Sequence, residues 1–295
     1  MKTPGRGGRL GKPPSLPAGA VAFAVAVARP RPRSASGAWP KLPRVQTSPP
    51  TSPTIEPLAT TAMILAAGRG ERMRPLTDHC PKPLLKVRGQ ALLAWHVQAL
   101  AAGGFADLLI NTAWLGEQIE PALAPLAAQL GSRVRYSHEG LDFGGALETA
   151  GGIARALPEL ADVFWVVAGD VYAPQFVFSR RAFDQFAASS LLAHLYLVPN
   201  PAHNPGGDFG LDARSGRALN LAAGHPERRY TFSTIALYRR EFFSGVPAGN
   251  PQGLKLALAP MLRQAIDRSQ VSAEVYAGRW TDVGTPERLA ELNPI

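Results

Sequence analysis

The sequence predicts an α/β protein with a doubly wound, mainly parallel sheet. From Ala62 onward, short apolar runs alternate with helical stretches at the spacing of βαβ units. The first run, Met63–Ala66, leads directly into the glycine loop Ala67–Gly70, and a later run, Val163–Val167, is followed by Asp170. Because ligands of such Rossmann-like sheets bind at the carboxyl ends of the strands, we expect the loop and the acid to share one site.

The elements of the first half follow from hydrophobic periodicity and from helix-ending residues. The first helix ends at a glycine pair, and the second contains Pro121 and Pro125, which place its start late. The third helix is entered through Thr149, a residue type that caps helices. After the first strand, the predicted elements are a helix at Ala91–Ala102, a strand at Asp107–Asn111, a helix at Ile119–Leu130, a strand at Arg133–Ser137, a helix at Thr149–Leu157 and a strand at Val163–Val167.

The second half is less regular. A loop rich in proline, glycine and asparagine, Pro199–Gly207, separates two predicted strands. The last predicted helix begins with a proline, which suits the first turn of a helix. The predicted elements of this half are strands at Leu191–Val198 and Thr231–Tyr238, a helix at Leu256–Asp267, a strand at Val271–Tyr276 and a helix at Pro286–Leu292.

The charge of the chain is concentrated at its start. The net charge of +9 would by itself suggest a nucleic-acid partner. Residues 1–61 hold nine basic residues and one acid, so they account for +8 and leave only +1 for residues 62–295. A nearly neutral folded part lacks the basic surface that nucleic-acid binding requires. We therefore predict a disordered, basic leader rich in Pro, Gly and Arg at 1–61, one domain at 62–295, and no nucleic-acid partner.

The predicted leader contains one ambiguous segment. The apolar run Ala18–Ala28 follows a basic start, as in a secretory signal, but it is too short to span a bilayer as a helix. A single cysteine, Cys80, gives no disulfide framework for an exported protein. We favour translation from Met63 or nearby, which would leave the leader untranslated, and we expect a cytoplasmic protein that does not bind membranes.

The glycine loop favours a ligand that contains phosphate and disfavours two common classes of nucleotide-binding protein. Backbone N–H groups of a loop after a strand bind phosphate oxygens, and Arg72 and Lys82 lie close by to supply positive charge. The segment Gly68–Met73 reads G-x-G-x-x-M, so it lacks the third glycine of a dinucleotide fingerprint, and no segment matches the P-loop pattern. The sequence therefore disfavours both a Rossmann dehydrogenase and a P-loop kinase.

The same region carries a longer motif. Leu65–Thr77 reads L-A-A-G-R-G-E-R-M-R-P-L-T and Pro81–Leu84 reads P-K-P-L, and together they resemble the signature of the sugar-phosphate nucleotidyltransferase family. The resemblance covers roughly Ala62–Asn293 and implies a nucleotidyltransferase (glycosyltransferase-A-like) fold. It also implies catalytic roles for Arg72, on the leaving pyrophosphate, and for Lys82, near the α-phosphorus. The nucleotide-binding residues implied by the resemblance are Leu65, Ala66, Ala67, Gly68, Gly70, Glu71, Arg72 and Lys82.

Two aspartates are candidates for holding Mg²⁺. This ion prefers oxygen ligands, usually takes one or two carboxylates, and would offset the repulsion between a triphosphate and a sugar phosphate. Asp170 follows a buried strand, and Asp282 lies in the segment W-T-D-V-G-T. Each is also explained as a turn or helix-cap residue. Both positions match metal-binding aspartates of the family, so the resemblance implies Asp170 as a catalytic metal ligand and Asp282 as the second ligand.

The sugar-binding residues are implied by a closer resemblance within the family. Leu147–Gly152 reads L-E-T-A-G-G and is similar to the branch that acts on N-acetylmuramate 1-phosphate, whereas mannose-1-phosphate guanylyltransferases typically show L-G-T-A-G. Glu148 is placed either to accept hydrogen bonds from a sugar or to favour a helix start. Lys255 and Arg263 would meet a sugar phosphate or a lactyl carboxylate, or would face solvent. The predicted substrate-binding residues are Asn111, Glu148, Gly152, Asp208 and Lys255.

The reaction implied by the resemblance joins UTP and N-acetylmuramate 1-phosphate with the help of Mg²⁺. The products are UDP-N-acetylmuramate and pyrophosphate, and the expected setting is the recycling of cell-wall peptidoglycan sugars. The nearest alternatives are a mannose-1-phosphate guanylyltransferase and a glucose-1-phosphate thymidylyltransferase. An alternative of another class is a non-catalytic regulatory subunit that binds sugar nucleotides. We expect a monomer or a weak homodimer.

Overall fold

A computed structural model describes residues 60–294 of the chain. The first strand begins at Thr60, two residues before the predicted start of the domain. The rest of the predicted leader, with the apolar run Ala18–Ala28, lies outside the described residues. Among residues 60–294, no helix is both long enough and apolar enough to cross a membrane.

The described residues form strands, α-helices and short 3-10 turns. The strands are β1 (Thr60–Ala66), β2 (Lys86–Val87), β3 (Gln90–Ala91), β4 (Asp107–Thr112), β5 (Arg133–His138), β6 (Leu160–Ala168), β7 (Val171–Tyr172), β8 (Ala193–Val198), β9 (Phe209–Asp212), β10 (Arg217–Leu219), β11 (Arg229–Arg239), β12 (Val271–Val275) and β13 (Thr281–Asp282). The helices are α1 (Leu92–Ala102), α2 (Ile119–Leu130), α3 (Glu139–Phe143), α4 (Glu148–Ala156), α5 (Arg180–Ala187), α6 (Leu258–Asp267) and α7 (Pro286–Leu292).

Nine of the strands form one sheet, in the order β5-β4-β1-β6-β11-β8-β12-β10-β9. The four strands β5, β4, β1 and β6 pair in parallel, so their carboxyl ends meet at one edge. Helices α1, α2 and α4 connect these strands in turn, as βαβ units require. This half of the sheet matches the parallel arrangement predicted from the sequence.

The other half of the sheet contains antiparallel pairs. β11 runs antiparallel to both β6 and β8 and joins the two halves, and β10 runs antiparallel to β12 and β9. A short turn links β9 to β10, and no helix lies between them, so a parallel crossover is impossible there. The predicted α/β fold class is confirmed, with a sheet that is mixed rather than mainly parallel.

Two apolar cores cover the two faces of the sheet. Successive side chains of a strand point to opposite faces, and Met63 of β1 accordingly packs in one core while Ile64 packs in the other. Ile153 of α4 and Leu262 of α6 belong to the first core, and Val97 of α1 belongs to the second. Helices on both faces make the fold doubly wound, as predicted.

Every predicted helix and strand is present, and two details of the predictions were wrong. α2 begins at Ile119. Pro121 lies in the first turn, where its missing N–H has no helical partner in any case, and Pro125 is exposed, so water reaches the carbonyl that it leaves unbonded. α4 begins at Glu148 and has no side-chain cap, so Thr149 does not cap it. The elements that were not predicted are helices α3 and α5 and the short strands β2, β3, β7, β9, β10 and β13.

Candidate active site

Two cavities adjoin at the carboxyl ends of β1 and β6. The first has a volume of about 370 Å³ and is lined by the glycine loop and the start of α4. The second has a volume of about 380 Å³ and is lined by parts of β11 and α6. Four residues form a wall common to both cavities: Leu65, Glu148, Thr149 and Ala168. Ligands bound in the two cavities would therefore be direct neighbours.

Most of the predicted site residues line one of these cavities. The first cavity is lined by Leu65, Ala66, Ala67, Gly68, Gly70, Glu71, Arg72, Lys82, Asn111, Glu148 and Asp170. The second is lined by Leu65, Glu148 and Asp208. Three predicted residues line neither cavity: Gly152, Lys255 and Asp282.

The two glycines of the loop have different tasks. Gly70 has a left-handed backbone with φ +67°, and a Cβ there would lie 3.1 Å from Thr77 Cγ2 and 3.2 Å from Lys82 Cβ. The backbone therefore requires glycine at this position. A Cβ on Gly68 would meet nothing within 4 Å, although the residue lines the first cavity. Gly68 thus leaves room that a ligand can occupy.

Arg69 fastens the loop to the rest of the domain. Its guanidinium donates to Thr77 O at 2.9 Å and to Asp78 Oδ1 at 3.0 Å. The same group lies 3.7 Å from the centre of the Trp114 ring, and the indole N–H of Trp114 donates to Thr77 O at 2.9 Å. The charge of Arg69 is therefore committed to holding the loop in place.

Arg72 is free to meet an anion. Arg74 forms ion pairs with Asp78 at 3.1 Å and with Glu71 at 3.5 Å, so its charge is balanced, as is that of Arg69. Arg72 lines the first cavity, is exposed, and makes no hydrogen bond or ion pair with another residue of 60–294. Of the three arginines in this loop, Arg72 is the one whose charge is available to a phosphate.

Lys82 and Asp170 form an ion pair at the wall of the first cavity, although 88 positions separate them in the chain. The side chain of Lys82 is only 11% exposed, whereas that of Asp170 is 36% exposed. The end of β6 is fixed against β1 because the N–H of Gly169 donates to Leu65 O at 2.8 Å. A Cβ on Gly169 would lie 2.9 Å from this oxygen, so glycine permits the approach that positions Asp170.

Pairing of two short strands brings the backbone of Asp282 close to that of Asp170, but the carboxylate of Asp282 is bonded to other side chains. Strand β13 pairs with β7, which follows Asp170, and Val283 N–H donates to Asp170 O at 2.9 Å. The Asp282 Oδ1 atom accepts a hydrogen bond from Arg288 at 2.6 Å and lies 2.7 Å from His203 Nε2. One oxygen of this carboxylate is therefore occupied by two cationic or polar groups.

Two carboxylates near the first cavity are candidate ligands for a hard divalent cation. Asp170 lines the cavity and offers a carboxylate, and Asp282 Oδ2 has no hydrogen-bond partner among residues 60–294. Within this described part of the chain, no cluster of three or more His, Cys, Asp or Glu side chains is arranged to hold a metal. Mg²⁺ commonly takes one or two carboxylates and completes its shell with substrate phosphates and water. Asp170 fits that mode, whereas Asp282 lines neither cavity and offers only its Oδ2 atom.

A buried polar network, which includes a residue that sequence reasoning missed, fixes the far side of the first cavity. Asn111 accepts a hydrogen bond from Ala66 N–H at 2.8 Å and donates to Glu139 Oε1 at 2.6 Å. The other oxygen of Glu139 accepts from Leu147 N–H at 2.8 Å. Burial raises the pKa of the Glu139 carboxyl above its ordinary value, while these two hydrogen bonds act in the opposite direction. Glu139 lines the cavity and follows β5 directly, so its place at the end of a parallel strand was the available signal.

Gly152 and Lys255 line neither cavity, and their contact with the sugar stays a prediction. A Cβ on Gly152 would lie 2.8 Å from Asn111 Nδ2 and closer still to Glu139 Oε1, so this glycine leaves space for the buried network. Lys255 is exposed, and the next residue, Leu256, accepts hydrogen bonds from the first turn of α4. The structure thus gives Gly152 a packing role and leaves Lys255 facing solvent.

Glu148 and Asp208 differ in how freely they can meet a ligand. Glu148 is exposed, lines both cavities and has φ +59°, an unfavourable conformation for a residue with a side chain. Such local strain is often found at ligand sites. Asp208 accepts hydrogen bonds from Phe232 N–H at 2.8 Å and from Asn204 Nδ2 at 3.2 Å. Glu148 therefore has free acceptor oxygens, whereas Asp208 mainly shapes the loop beside the second cavity.

The second cavity is largely apolar and contains one cation among its described lining residues, Arg263. The guanidinium of Arg263 lies 5.1 Å from the centre of the Phe209 ring, and it donates to Asn220 Oδ1 at 2.7 Å. Asn220 is held in turn by Asp267, whose oxygens accept from its amide at 2.9 and 3.1 Å. Tyr238 lines the same cavity, and its buried hydroxyl has no partner within residues 60–294.

Comparison with known proteins agrees with this geometry. Residues 62–206 match the model of the MobA-like NTP transferase domain. The chain is 48% identical over 239 residues to a protein of Neisseria meningitidis named N-acetylmuramate alpha-1-phosphate uridylyltransferase, which covers 79% of this chain and 97% of that protein. It is 36% identical over 115 residues to the mannose-1-phosphate guanylyltransferase catalytic subunit beta of Drosophila melanogaster, which covers 38% of this chain and 30% of that protein.

Solved structures show the same fold. The CTP:phosphocholine cytidylyltransferase of Streptococcus pneumoniae superposes with a TM-score of 0.59 at 19% identity, over 80% of this chain and 98% of that one. The match to the Neisseria protein extends over nearly its whole length, and the family-model match over residues 62–206 includes both the glycine loop and Asp170. The chain therefore belongs to the sugar-phosphate nucleotidyltransferase family, and it is an enzyme of that family, as the glycine-loop motif predicted.

Proposed function

We propose that the protein transfers a uridylyl group from UTP to N-acetylmuramate 1-phosphate and releases pyrophosphate. One observation carries this proposal: the 48% identity to a protein with this activity in its name, over 97% of that protein's length. The resemblance to the mannose-1-phosphate enzyme covers only 30% of that relative, so it speaks for the shared nucleotide chemistry and not for the sugar.

We assign the nucleotide to the first cavity. Its loop presents backbone N–H groups, and Arg72 offers an unpaired positive charge to the β- and γ-phosphates that leave as pyrophosphate. Lys82 lies deeper in the same cavity, next to Asp170, and would meet the α-phosphate. The sugar phosphate would enter from the second cavity across the common wall, so that its phosphate oxygen faces the α-phosphorus from the side opposite the leaving group.

The transfer makes one bond and breaks one. A phosphate oxygen of the sugar 1-phosphate attacks the α-phosphorus, a new P–O bond forms, and the bond to the β-phosphate oxygen breaks as pyrophosphate leaves with the electron pair. The attacking oxygen is already ionised at neutral pH, so no side chain has to remove a proton. The residues of the site contribute by positioning the two phosphates and by balancing their charge.

We propose Asp170 and Asp282 as the residues that hold Mg²⁺. When bound, this ion would neutralise phosphate charge and polarise the α-phosphate. Arg288 and His203 already occupy one oxygen of Asp282, which leaves Oδ2 for this role. We also propose a cytoplasmic setting, because the reaction consumes a nucleoside triphosphate, and a place in the recycling of cell-wall sugars.

The proposal is tested by measuring pyrophosphate release with Mg²⁺ for each pairing of a nucleoside triphosphate and a sugar 1-phosphate. We expect UTP with N-acetylmuramate 1-phosphate to give the highest kcat/KM. Mannose 1-phosphate with GTP and glucose 1-phosphate with dTTP serve as the competing pairs. A clear preference for either competing pair would overturn the choice of substrates, and no release with any pair would contradict the assignment of the reaction.

A further inference from the structure

Arg263 stands out among the residues that line the second cavity. It is the single cation among the described residues there, and it has no acidic partner within residues 60–294. A partly buried arginine is usually paired with a carboxylate or a phosphate. Since neither cavity contributes a carboxylate to Arg263, its charge is left for a ligand.

The side chain of Arg263 is held in a defined position without being neutralised. Phe209 supports the guanidinium from one side at 5.1 Å, and Asn220 accepts one of its N–H groups at 2.7 Å. Asp267 binds the amide of Asn220 through both oxygens, which orients Asn220 Oδ1 towards Arg263. The negative charge of Asp267 therefore acts on the orientation of Arg263 through a neutral amide, and further guanidinium N–H groups remain unbonded.

The two acidic side chains that line the second cavity limit where a negatively charged group of a ligand can bind. Both oxygens of Asp208 are already bonded to protein donors. Glu148 lies at the wall towards the first cavity, and its charge would repel an anion placed near it. An acidic group on the sugar is therefore favoured at Arg263 and disfavoured beside Glu148.

We infer that Arg263 is the residue that recognises the carboxylate of an acidic sugar 1-phosphate, and that it determines specificity for such substrates over neutral ones. This inference rests on the proposed function. In N-acetylmuramate 1-phosphate the phosphate is on C1 and the lactyl ether is on C3, so its two charges lie at different edges of the ring. With the phosphate at the wall common to both cavities, the lactyl carboxylate would lie within the second cavity, where Arg263 offers a guanidinium suited to bidentate binding.

The test compares N-acetylmuramate 1-phosphate with N-acetylglucosamine 1-phosphate, which lacks the lactyl carboxylate. In Arg263→Gln we expect KM for the muramate substrate to rise about 10- to 100-fold, the range of a lost hydrogen bond to a charged group, with kcat little changed. KM for the glucosamine substrate should stay close to its wild-type value. Arg268→Gln is the matched control, since Arg268 directly follows α6, is exposed and lines neither cavity.

Two further measurements keep the test decisive if the glutamine variant folds poorly. Arg263→Lys retains the charge without the planar fork and should recover part of the lost KM. The methyl ester of the muramate substrate, used with the wild-type protein, should show the same rise in KM as Arg263→Gln shows with the acid.

Each outcome has a distinct meaning. Equal increases in KM for both sugars would mean that Arg263 binds the phosphate, and an unchanged preference for the muramate substrate would mean that it binds neither group; both overturn the inference. If the wild-type protein does not prefer the muramate substrate at all, the proposed function fails independently of Arg263.

Discussion

The first cavity comes largely from one continuous segment, Ala62–Leu85, whereas the second is assembled from β11, α6 and a loop that lie far apart in the chain. The first is lined by the glycine loop and by two cations, Arg72 and Lys82. The second offers apolar walls and a single cation, Arg263. The first cavity thus depends on local backbone geometry, which a short motif can encode, whereas the second depends on long-range packing.

The largest expected effect comes from removing the negative charge of Asp170 in the first cavity. Asp170→Asn keeps the shape of the side chain and removes the negative charge that we assign to Mg²⁺. We expect kcat/KM to fall by about 10²- to 10³-fold, the cost of losing one well-placed electrostatic group. Pyrophosphate release measures the rate. Asp184→Asn, at an exposed position of α5, is the control, and an unchanged rate in Asp170→Asn would contradict the assigned role.

Arg72 and Arg69 should respond in opposite ways to the same substitution. Arg72 has no partner within residues 60–294, so Arg72→Ala should leave the melting temperature unchanged and lower kcat/KM by about 10- to 100-fold. Arg69 is bonded to Thr77 and Asp78 and lies over Trp114. Arg69→Ala should therefore destabilise the fold by about 1–2 kcal/mol.

Thermal unfolding and pyrophosphate release, measured on both arginine variants, test this pair. The assignment requires that Arg69→Ala lowers the melting temperature, and that Arg72→Ala lowers kcat/KM without lowering the melting temperature. If Arg72→Ala unfolds at a lower temperature and Arg69→Ala does not, the division of roles between the two arginines is wrong.

Two glycine-to-alanine changes sharpen the difference between packing and ligand space. Gly152→Ala places a methyl group against Asn111 and Glu139, and such overpacking should cost about 1–3 kcal/mol of stability. Gly68→Ala adds a methyl group with nothing within 4 Å, so it should leave the melting temperature unchanged while raising KM for the nucleotide. Chemical denaturation measures the first effect and initial rates measure the second. Equal stability of both variants would contradict the tight packing at Gly152.

The smallest expected effect is a pH dependence from Glu139. Because burial raises the pKa of this carboxyl in the folded state, the folded protein binds more protons than the unfolded chain between the ordinary and the raised pKa. Stability attributable to Glu139 should therefore decrease as pH rises through that window. Glu139→Gln removes the titration, so the difference in melting temperature between wild type and variant should change with pH there. Parallel pH profiles would show that Glu139 does not titrate differently on folding.

The sequence predicted the fold class and the family well because both depend on local signals. Strands alternating with helices identify βαβ units, and the motif at Leu65–Thr77 identifies the loop. The rule that strand ends share one edge of the sheet predicted that the glycine loop and Asp170 lie together, and both line the first cavity. The roles assigned to these residues in the reaction remain predictions.

Features that depend on distant contacts were not predictable from the sequence. Nothing local distinguishes Arg69, which is fully bonded, from Arg72, which is free, because the partners of Arg69 include Trp114 from another part of the chain. Gly152 was expected to approach a sugar, but the group it approaches is Glu139, whose position depends on the end of β5. The sequence predicted β11 as a strand but not its antiparallel direction, because a run of apolar residues does not reveal the direction of the neighbouring strands.

The wall common to the two cavities has a consequence for how such an enzyme changes over evolution. Ala168 lines both cavities, so under the proposed assignment of the two ligands a larger side chain there would take volume from the nucleotide and from the sugar together. A mutation selected for a new sugar at this position would alter the choice of base in the same step. The two specificities are therefore not independent traits at Ala168. They can diverge separately only through residues that belong to one cavity alone, such as Arg72 on one side and Arg263 on the other.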